Sequence, residues 1–238
     1  MLSVCMATYN GAQTVARQLQ SILMQLSAQD EVVIVDDHST DQTVAMIKDL
    51  VSNSSVQVRL LINSQNQGPI KSFARALKQA QGELVFLADQ DDVWFDDKVA
   101  QVVTAFQQQK ADLIVHDGVV VDQDEQQIAA SWNQYNHNQL PQTVGSNLLK
   151  NGYTGAMMAV SQRLLQRALP FPERIEMHDQ WLFLVARHEH MKMAVLPQPL
   201  MAYVRHGDNV TGMQRRRFTE MLQGRWRMWC AYRQLSRK

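Results

Sequence analysis

The sequence predicts an α/β fold, in which a mixed, mostly parallel sheet is flanked by helices. Short apolar runs rich in Val, Ile and Leu alternate with amphipathic stretches through the first half of the chain. Strands buried on both faces of a parallel sheet have this composition, and the amphipathic stretches are long enough to be crossover helices. The predicted strands are 2–7, 31–36, 56–62, 83–88 and 112–117, and the predicted helices are 13–25, 41–52, 70–80 and 97–109.

The composition is that of a folded, globular protein. Of the 238 residues, 45% are hydrophobic and 19% are charged, which excludes a compositionally disordered chain. The first residues form a predicted strand rather than a charged and then apolar leader, and no apolar run approaches the roughly 18 residues of a membrane span. We therefore expect a cytoplasmic protein.

The C-terminal residues differ in charge from the rest of the chain. Residues 215–238 contain eight basic residues and one acidic residue, whereas the remainder contains 15 basic and 22 acidic residues. Aromatic residues recur there at helical spacing, which predicts a basic amphipathic helix appended to a main domain of residues 1–214. Two alternatives stay open: the helix lies on anionic lipid at the inner face of the cell membrane, or its apolar stripe packs on the acidic body.

Polar segments follow each predicted strand of the first half. They are "TYNG" at 8–11, "DDHSTD" at 36–41, "NSQNQG" at 63–68 and an acidic segment at 89–97. Ligands of such sheets bind at the carboxyl ends of the strands, so we expect these segments to form one cleft. A Gly-x-Gly-x-x-Gly motif and a Walker motif are both missing from the sequence, which disfavours a dinucleotide dehydrogenase and a P-loop enzyme.

The acidic segment contains five aspartates within nine residues. Carboxylates so close together repel one another unless they share a cation, and hard oxygen ligands favour Mg²⁺ or Mn²⁺. Asp89, Asp91 and Asp92 are therefore the predicted metal ligands. Asp96 and Asp97 directly precede a predicted helix, and we expect them to cap its first turn.

An ordered series of motifs spans residues 2 to about 212. The motifs are "VCMATYNG", "VVIVDDHSTDQT", "NQGPIKSFARAL", "FLADQDDVW", "TGAMMAVSQRLL", "MHDQWLFLVA" and "YVRHGDNVTG". The chain resembles family-2 glycosyltransferases with the Rossmann-like GT-A fold, within them the rhamnosyltransferase-like branch of bacterial surface polysaccharide synthesis. One departure is Asp96, because this branch usually has Pro just before the Asp-Lys pair that follows.

The resemblance implies an inverting, metal-dependent hexosyltransferase. It would move rhamnose or another hexose from a dTDP- or UDP-sugar to a surface polysaccharide or a lipid-linked oligosaccharide. Residues 1–117 would bind the nucleotide sugar and residues 118–214 the acceptor.

The donor-side roles that the resemblance implies centre on the first two strand ends. Asp37 would accept the N3–H of uracil or thymine, which cytosine lacks. Tyr9 would stack on the base or pack internally, and Asp36 would contact the donor or cap its own turn. Asp89 would face the ribose or the metal, and Asp92 would assist Asp91 or hold the loop. The implied donor contacts are Thr8, Tyr9, Asn10, Asp36, Asp37, Asn66, Gly68, Asp89, Arg205 and His206.

The acceptor-side roles fall in two motifs of the second half. Asp179 would be the general base that deprotonates the acceptor hydroxyl, or else only a helix cap, and His178 would orient it or touch substrate. Thr154 and Gly155 would let an acceptor sugar approach the backbone, with a tight turn as the alternative. The metal at Asp91 would neutralise charge on the leaving nucleoside diphosphate.

Two other functions stay open. One is nucleotidyl transfer on a similar sheet, which the missing Gly-rich, Arg/Lys-containing loop after the first strand disfavours. The other is a non-catalytic subunit that binds a glycan or a partner enzyme, which would leave the acidic loop and Asp179 without a chemical reason. Nucleic-acid binding is disfavoured because the body is acidic.

Overall fold

The computed structural model describes residues 1–205 and 218–235. In its first half, every predicted strand and helix is present, and the last strand runs four residues past its predicted end. The elements are β1 (Leu2–Thr8), α1 (Val15–Leu23), β2 (Glu31–Asp36), α2 (Thr43–Val51), β3 (Gln57–Ile62), α3 (Pro69–Gln79), β4 (Leu84–Asp89), β5 (Val93–Trp94), α4 (Lys98–Gln109) and β6 (Leu113–Val121).

The second half is less regular. It comprises β7 (Gln127–Ala129), α5 (Trp132–Tyr135), α6 (Val144–Leu149), a 3₁₀ turn (Gly155–Met157), β8 (Met158–Ser161), α7 (Gln162–Ala168), α8 (His178–His188), β9 (Met193–Val204) and α9 (Phe218–Leu235). Helix α9 lies within the predicted C-terminal appendage.

Nine strands of the described residues form one sheet in the order β3-β2-β1-β4-β8-β6-β9-β5, with β7 beside β6. The strands β1 to β4 are mutually parallel, and β8 is antiparallel to both β4 and β6. Thr8 is in register with Asp36, and Asp36 is in register with Ile62. The loops after these strands therefore lie at one edge of the sheet, as predicted.

Helices cover both faces of the sheet, because successive strand side chains point to opposite sides. Val4 and Met6 of β1 pack in a layer with α1, α2 and α4, while Cys5 packs in a second layer. The second layer contains residues of α3, α7, α8 and α9. The mixed sheet between helical layers confirms the predicted fold class.

Helix α9 packs one face on the second layer. Met228 and Ala231 are buried there, and Met228 Sδ accepts a hydrogen bond from the backbone N–H of Glu176 at 3.1 Å. Trp226 is 63% exposed and stacks on Trp229, so the opposite face stays open. The described helices include none that is both long and apolar enough to cross a membrane.

Candidate functional site

Asp36, the last residue of β2, is fully buried and is part of the loop architecture. Its Oδ1 accepts a hydrogen bond from the backbone N–H of Ser39 at 2.8 Å, and its Oδ2 accepts one from Thr8 Oγ1 at 2.9 Å. Thr8 is buried as well. Asp36 thus caps the turn that follows β2, which was the second of its two predicted roles, and neither side chain is open to a donor nucleotide.

Asp37 holds the loop that leads into α3. Its carboxylate accepts hydrogen bonds from Asn63 Nδ2 at 2.7 Å, from the N–H of Gln67 at 2.9 Å and from the N–H of Gly68 at 2.7 Å. Burial alone would raise the pKa of Asp37, but these hydrogen bonds lower it below its usual value. The Ser72 side chain is a fourth hydrogen-bond partner, so the roughly four acceptor positions of this carboxylate are occupied within the protein.

Asn66 and Gly68 belong to the same loop that Asp37 holds. Asn66 Oδ1 accepts from the N–H of Gly68 at 3.2 Å. Gly68 has a φ of 86°, a conformation that side chains disfavour, and it directly precedes α3. The predicted donor residues 36, 37, 66 and 68 are therefore brought together.

The turn after β1 is joined to the acidic loop by Gln90. The Gln90 amide accepts from the N–H of Tyr9 at 2.9 Å and donates to the carbonyl oxygen of Tyr9 at 3.0 Å. A Cβ at Gly11 would lie 2.2 Å from Gln90 Oε1, so this contact requires glycine. Asn10 links the turn to residue 40, because its Oδ1 accepts from the N–H of Thr40 at 2.9 Å. The Tyr9 side chain is 46% exposed and is free to stack on a ligand.

The acidic loop places its three predicted metal ligands differently. Asp92 is buried, and its Oδ1 accepts from the N–H of Val204 at 3.2 Å, which ties the loop to the end of β9. Its Oδ2 is buried with no hydrogen-bond partner among the described residues. Asp89 and Asp91 are half-buried. In residues 1–205 and 218–235, no three acidic, His or Cys side chains form a ready metal cage.

A buried lysine lies beneath the acidic loop. Lys98 is fully buried, its Nζ donates to the carbonyl oxygen of Ala156 at 2.9 Å, and it lies 4.1 Å from the centroid of the Trp94 ring. Burial lowers the pKa of Lys98 to about 7, opposed by the charges of Asp92 and Asp89. Lys98 is therefore a local counter-charge to the loop.

Asp89 connects the acidic loop electrostatically with the second half of the chain. Burial first, and then the charges of Asp91 and Asp179, raise the pKa of Asp89 to about 7, opposed by Lys98. Burial, followed by the charges of Asp91 and Asp89, raises the pKa of Asp92. Asp179 and Asp89 therefore lie close enough for their charges to interact.

Asp179, in the first turn of α8, is 3% exposed. Its Oδ1 accepts hydrogen bonds from the N–H of Gln180 at 2.6 Å and from Asn151 Nδ2 at 3.0 Å. Burial raises the pKa of Asp179 to about 6, although hydrogen bonds from Gln180, Asn151 and Gly155 oppose the shift. A buried carboxyl with this pKa, facing a cleft, is suited to general-base chemistry.

His178 and Gly155 pack against each other beside Asp179. The His178 ring stacks on Phe73 with centroids 4.3 Å apart, and a Cβ at Gly155 would lie 2.6 Å from His178 Nε2. Burial lowers the pKa of His178 to about 4, which keeps the ring neutral at pH 7. Thr154 Oγ1 accepts from Trp132 Nε1 at 2.9 Å. The carbonyl oxygen of Thr154 accepts from the N–H of Met157 at 3.0 Å, so residues 154 and 155 begin the tight turn given above as their alternative.

Two further predicted residues, Arg205 and Asp97, lie apart from these contacts. The guanidinium of Arg205 lies 5.5 Å from the Tyr135 ring centroid and 5.9 Å from that of Trp132, in the second half of the chain. His206 lies outside the described residues. Asp97 occupies the position before α4, but its side chain makes no capping hydrogen bond, so the predicted cap is wrong in that respect.

Sequence analysis missed three residues of the site, namely Gln90, Lys98 and Asn151. All three stand inside or directly beside the quoted motifs, in "FLADQDDVW", after it, and before "TGAMMAV". In the sequence, each of them is a polar residue near a residue that was predicted to bind a ligand or a metal. Their roles depend on contacts over about 28 to 81 residues of sequence separation, which local patterns do not contain.

Comparison with known proteins identifies the family of this chain. The domain model described as glycosyl transferase family 2 matches residues 3–169, which is more than half of the chain. The chain belongs to glycosyl transferase family 2. The family resemblance drawn from the motifs is thereby confirmed.

Curated relatives of this family-2 chain include a glucosyltransferase and a rhamnosyl transferase. It is 25% identical over 191 residues to the Escherichia coli UDP-Glc:alpha-D-GlcNAc-diphosphoundecaprenol beta-1,3-glucosyltransferase WfgD, covering 77% of this chain and 68% of WfgD. It is 31% identical over 102 residues to the Shigella flexneri dTDP-rhamnosyl transferase RfbG, covering 41% of this chain and 35% of RfbG.

Solved structures share the fold. Residues 1–349 of S. aureus TarS in complex with UDP-GlcNAc superimpose with a TM-score of 0.70 at 23% identity, covering 90% of this chain and 61% of that chain. This likeness confirms the GT-A fold of the family-2 chain. The chain spans from about a third to about two thirds of the length of these three proteins.

Proposed function

We propose that the chain catalyses inverting transfer of a hexose from a dTDP- or UDP-sugar to a hydroxyl group of a surface polysaccharide or lipid-linked oligosaccharide. One observation carries the proposal. The buried carboxylate of Asp179 lies close enough to Asp89 of the acidic loop for their charges to interact, so a proton acceptor and a site for a leaving diphosphate adjoin each other. Family membership and the names of the relatives support the same class of reaction.

The proton chemistry is assigned to Asp179. As the acceptor oxygen attacks the anomeric carbon, Asp179 takes the hydroxyl proton, the new C–O bond forms and the bond to the nucleoside diphosphate breaks. One displacement inverts the configuration at that carbon. The raised pKa of about 6 makes Asp179 a stronger base than an exposed aspartate, while it stays mostly ionised at pH 7.

A divalent cation, Mg²⁺ or Mn²⁺, fits the acidic loop. Asp89 and Asp91 offer two carboxylates, and the nearby Asp92 has a buried Oδ2 without a hydrogen-bond partner among the described residues. Such cations commonly bind through one or two carboxylates and take their remaining ligands from substrate phosphates. The cation would neutralise charge on the departing diphosphate. A neighbouring structure, a mannosyltransferase from Pyrobaculum calidifontis, is a complex with GDP-Man and Mn²⁺.

The nucleotide base is assigned to the cleft between the loops after β1 and β2. Tyr9 offers an exposed ring for stacking. A contact of Asp37 with the N3–H of uracil or thymine would replace one of the hydrogen bonds that its carboxylate accepts within the protein. The printed names of RfbG and WfgD, with their dTDP-rhamnosyl and UDP-Glc donors, support these two nucleotides.

A panel of nucleotides tests the donor side. We expect UDP or dTDP with Mn²⁺ to raise the melting temperature more than GDP or CDP, and more than UDP or dTDP with EDTA, because ligand binding stabilises by mass action. Slow release of UDP or dTDP from the sugar donor, with water as acceptor, would separate a transferase from a non-catalytic subunit. Equal shifts with Mn²⁺ and with EDTA would contradict the cation assignment.

The open face of α9 is assigned to anionic lipid, which suits an acceptor that is lipid-linked. Trp226 and Trp229 stack at 4.9 Å, and the guanidinium of Arg233 lies 4.8 Å from the Trp229 centroid. Arg225 and Arg227 add positive charge to the same helix. Tryptophan and arginine together are typical of helices that lie in a lipid–water interface.

Vesicle sedimentation tests this contact. The double variant W226A/W229A should bind anionic phosphatidylglycerol vesicles several-fold less than the unchanged chain, while neutral phosphatidylcholine vesicles should bind neither protein. A double variant that sediments with anionic vesicles as well as the unchanged chain does would remove α9 from the lipid contact.

A further inference from the structure

A series of side-chain amide hydrogen bonds within residues 142–151 reaches the carboxylate of Asp179. Asn151 Nδ2 donates to Asp179 Oδ1 at 3.0 Å, 28 residues away in sequence. The Asp179 carboxylate is buried, and a lysine, arginine or histidine is not among its hydrogen-bond donors in the described residues. Asn151 is therefore the side chain that contacts this carboxylate directly with a hydrogen-bond donor.

The orientation of the Asn151 amide follows from its other partners. Its Oδ1 accepts from the backbone N–H of Tyr153 at 3.1 Å and from Asn147 Nδ2 at 3.2 Å. Because a backbone N–H can only donate, the oxygen must face Tyr153, and the NH₂ group must face Asp179. The donor to Asp179 thus cannot be exchanged by a simple amide flip.

A second contact holds helix α8 at Gln180, the residue after Asp179. Gln180 Nε2 donates to the carbonyl oxygen of Asn147 at 2.8 Å, and Asn147 Nδ2 donates to Gln142 Oε1 at 2.8 Å. Asn147 is fully buried, which fixes this segment against α8. The start of α8 is therefore held both at the Asp179 carboxylate and at the next side chain.

We infer that Asn151 is a positioning residue for the proton-accepting carboxylate of Asp179, an assignment that rests on the function proposed above. A neutral amide holds the carboxylate in one rotamer without adding a positive charge that would weaken it as a base. Ion pairing with Lys or Arg would hold it as firmly but would lower its basicity. Asn151 itself does not touch the reacting atoms.

Two substitutions separate positioning from a merely structural role. Asn151→Asp keeps the size and the acceptor for Tyr153 and Asn147, but an ionised carboxylate cannot donate to Asp179. Asn151→Ala removes donor and acceptor together. If Asn151 only supports the backbone, the Asp variant should be much closer to the unchanged chain than the Ala variant.

The readout is release of nucleoside diphosphate at pH 8, with water as acceptor. The donor is whichever of UDP-glucose, UDP-GlcNAc and dTDP-rhamnose the unchanged chain hydrolyses fastest. We expect kcat to fall roughly 10- to 100-fold in both variants, with N151D at least as slow as N151A, because the base is mispositioned. The KM for the donor should stay within about twofold. Asn133→Asp is the matched control, since its side chain contacts Asn138 and not Asp179.

A double-mutant cycle completes the test. In an Asp179→Asn background, N151A should cause no further loss, because both changes remove the same function. If N151D retains the rate of the unchanged chain while D179N is inactive, Asn151 is not a positioning residue and the proposed base stands. If D179N itself keeps the unchanged rate, the proposed base fails and the inference fails with it.

Discussion

The aspartates of this chain fall into two groups that differ in how their charge is satisfied. Asp36 and Asp37, after β2, accept hydrogen bonds from neighbouring N–H and hydroxyl groups at 2.7 to 2.9 Å. For Asp89 and Asp179 burial is the dominant cause of the pKa shift, even though Asp179 accepts hydrogen bonds from Gln180 and Asn151. The pKa of Asp37 accordingly lies below its usual value, whereas burial raises that of Asp89 to about 7 and that of Asp179 to about 6.

This difference separates aspartates that hold a loop in place from aspartates that are suited to accept a proton or a cation. A carboxylate that is saturated with donors is a weak base and has little capacity left for a cation, so it serves to fix a loop. A carboxylate for which burial outweighs its hydrogen bonds remains basic, and it favours a cation where other carboxylates lie nearby. The sequence places both kinds of aspartate at strand and helix ends, and the balance of burial and local donors decides between them.

The largest expected effect is that of Asp179→Asn. The amide keeps the shape of the side chain but cannot accept a proton, so transfer should fall by roughly 10²–10⁴. Binding of UDP or dTDP with Mn²⁺, measured by titration calorimetry, should stay nearly unchanged. If the loss appears only as about 1 kcal/mol of stability with full turnover, Asp179 is a helix cap instead.

The pH dependence should show an acid limb controlled by Asp179, whereas Lys98, with a pKa of about 7, loses its charge on the alkaline side of this limb. Below about pH 6 the carboxyl becomes protonated and cannot act as a base, so kcat should fall about tenfold per pH unit. His178 stays neutral because its pKa is about 4, and saturating Mn²⁺ should hold Asp89 ionised. Initial rates between pH 4.5 and 8 at saturating donor measure this limb. A constant kcat down to pH 5 would contradict it.

The smallest effect should come from Asp37, whose carboxylate already accepts several hydrogen bonds. Asp37→Asn leaves one oxygen for three donors, so the free energy of unfolding should fall by roughly 1–3 kcal/mol. Urea denaturation monitored by circular dichroism measures the change. Asp97→Asn is the control, because its exposed carboxylate makes no capping hydrogen bond and should alter stability little. Equal losses of unfolding free energy in D37N and D97N would mean that the hydrogen bonds to Asp37 do not stabilise the fold.

The sheet and helices of the first half could be predicted because each element there is a continuous apolar run or a clear helical pattern. The second half resisted prediction for physical reasons. Strand β9 contains Pro197 and Pro199, which a strand pattern disfavours, and its pairing with β6 is irregular. In the first half, the two-residue β5 inside the acidic loop is an exception, because it is too short to show any period.

The candidate site could be predicted by residue type but not by partner. Asp179 stood out as a carboxylate at a helix start in the second half, and Asp36 was correctly given a turn cap as one of its two roles. Asn151 and Lys98 gave no such signal, because a polar residue in a loop and a lysine at a helix start are ordinary features. Only the folded chain shows that both reach aspartates of the cleft.

The contact between α9 and the segment before α8 has a geometric consequence for acceptor choice. Met228 of α9 accepts from the N–H of Glu176, which lies three residues before Asp179. A protein seated on a bilayer through α9 would hold Asp179 at a set height above the lipid headgroups. Lipid-linked glycans present their hydroxyl groups at distances that grow with each added sugar. Under the proposed function, the distance between the membrane and α8 would then set the length of the glycan acceptor.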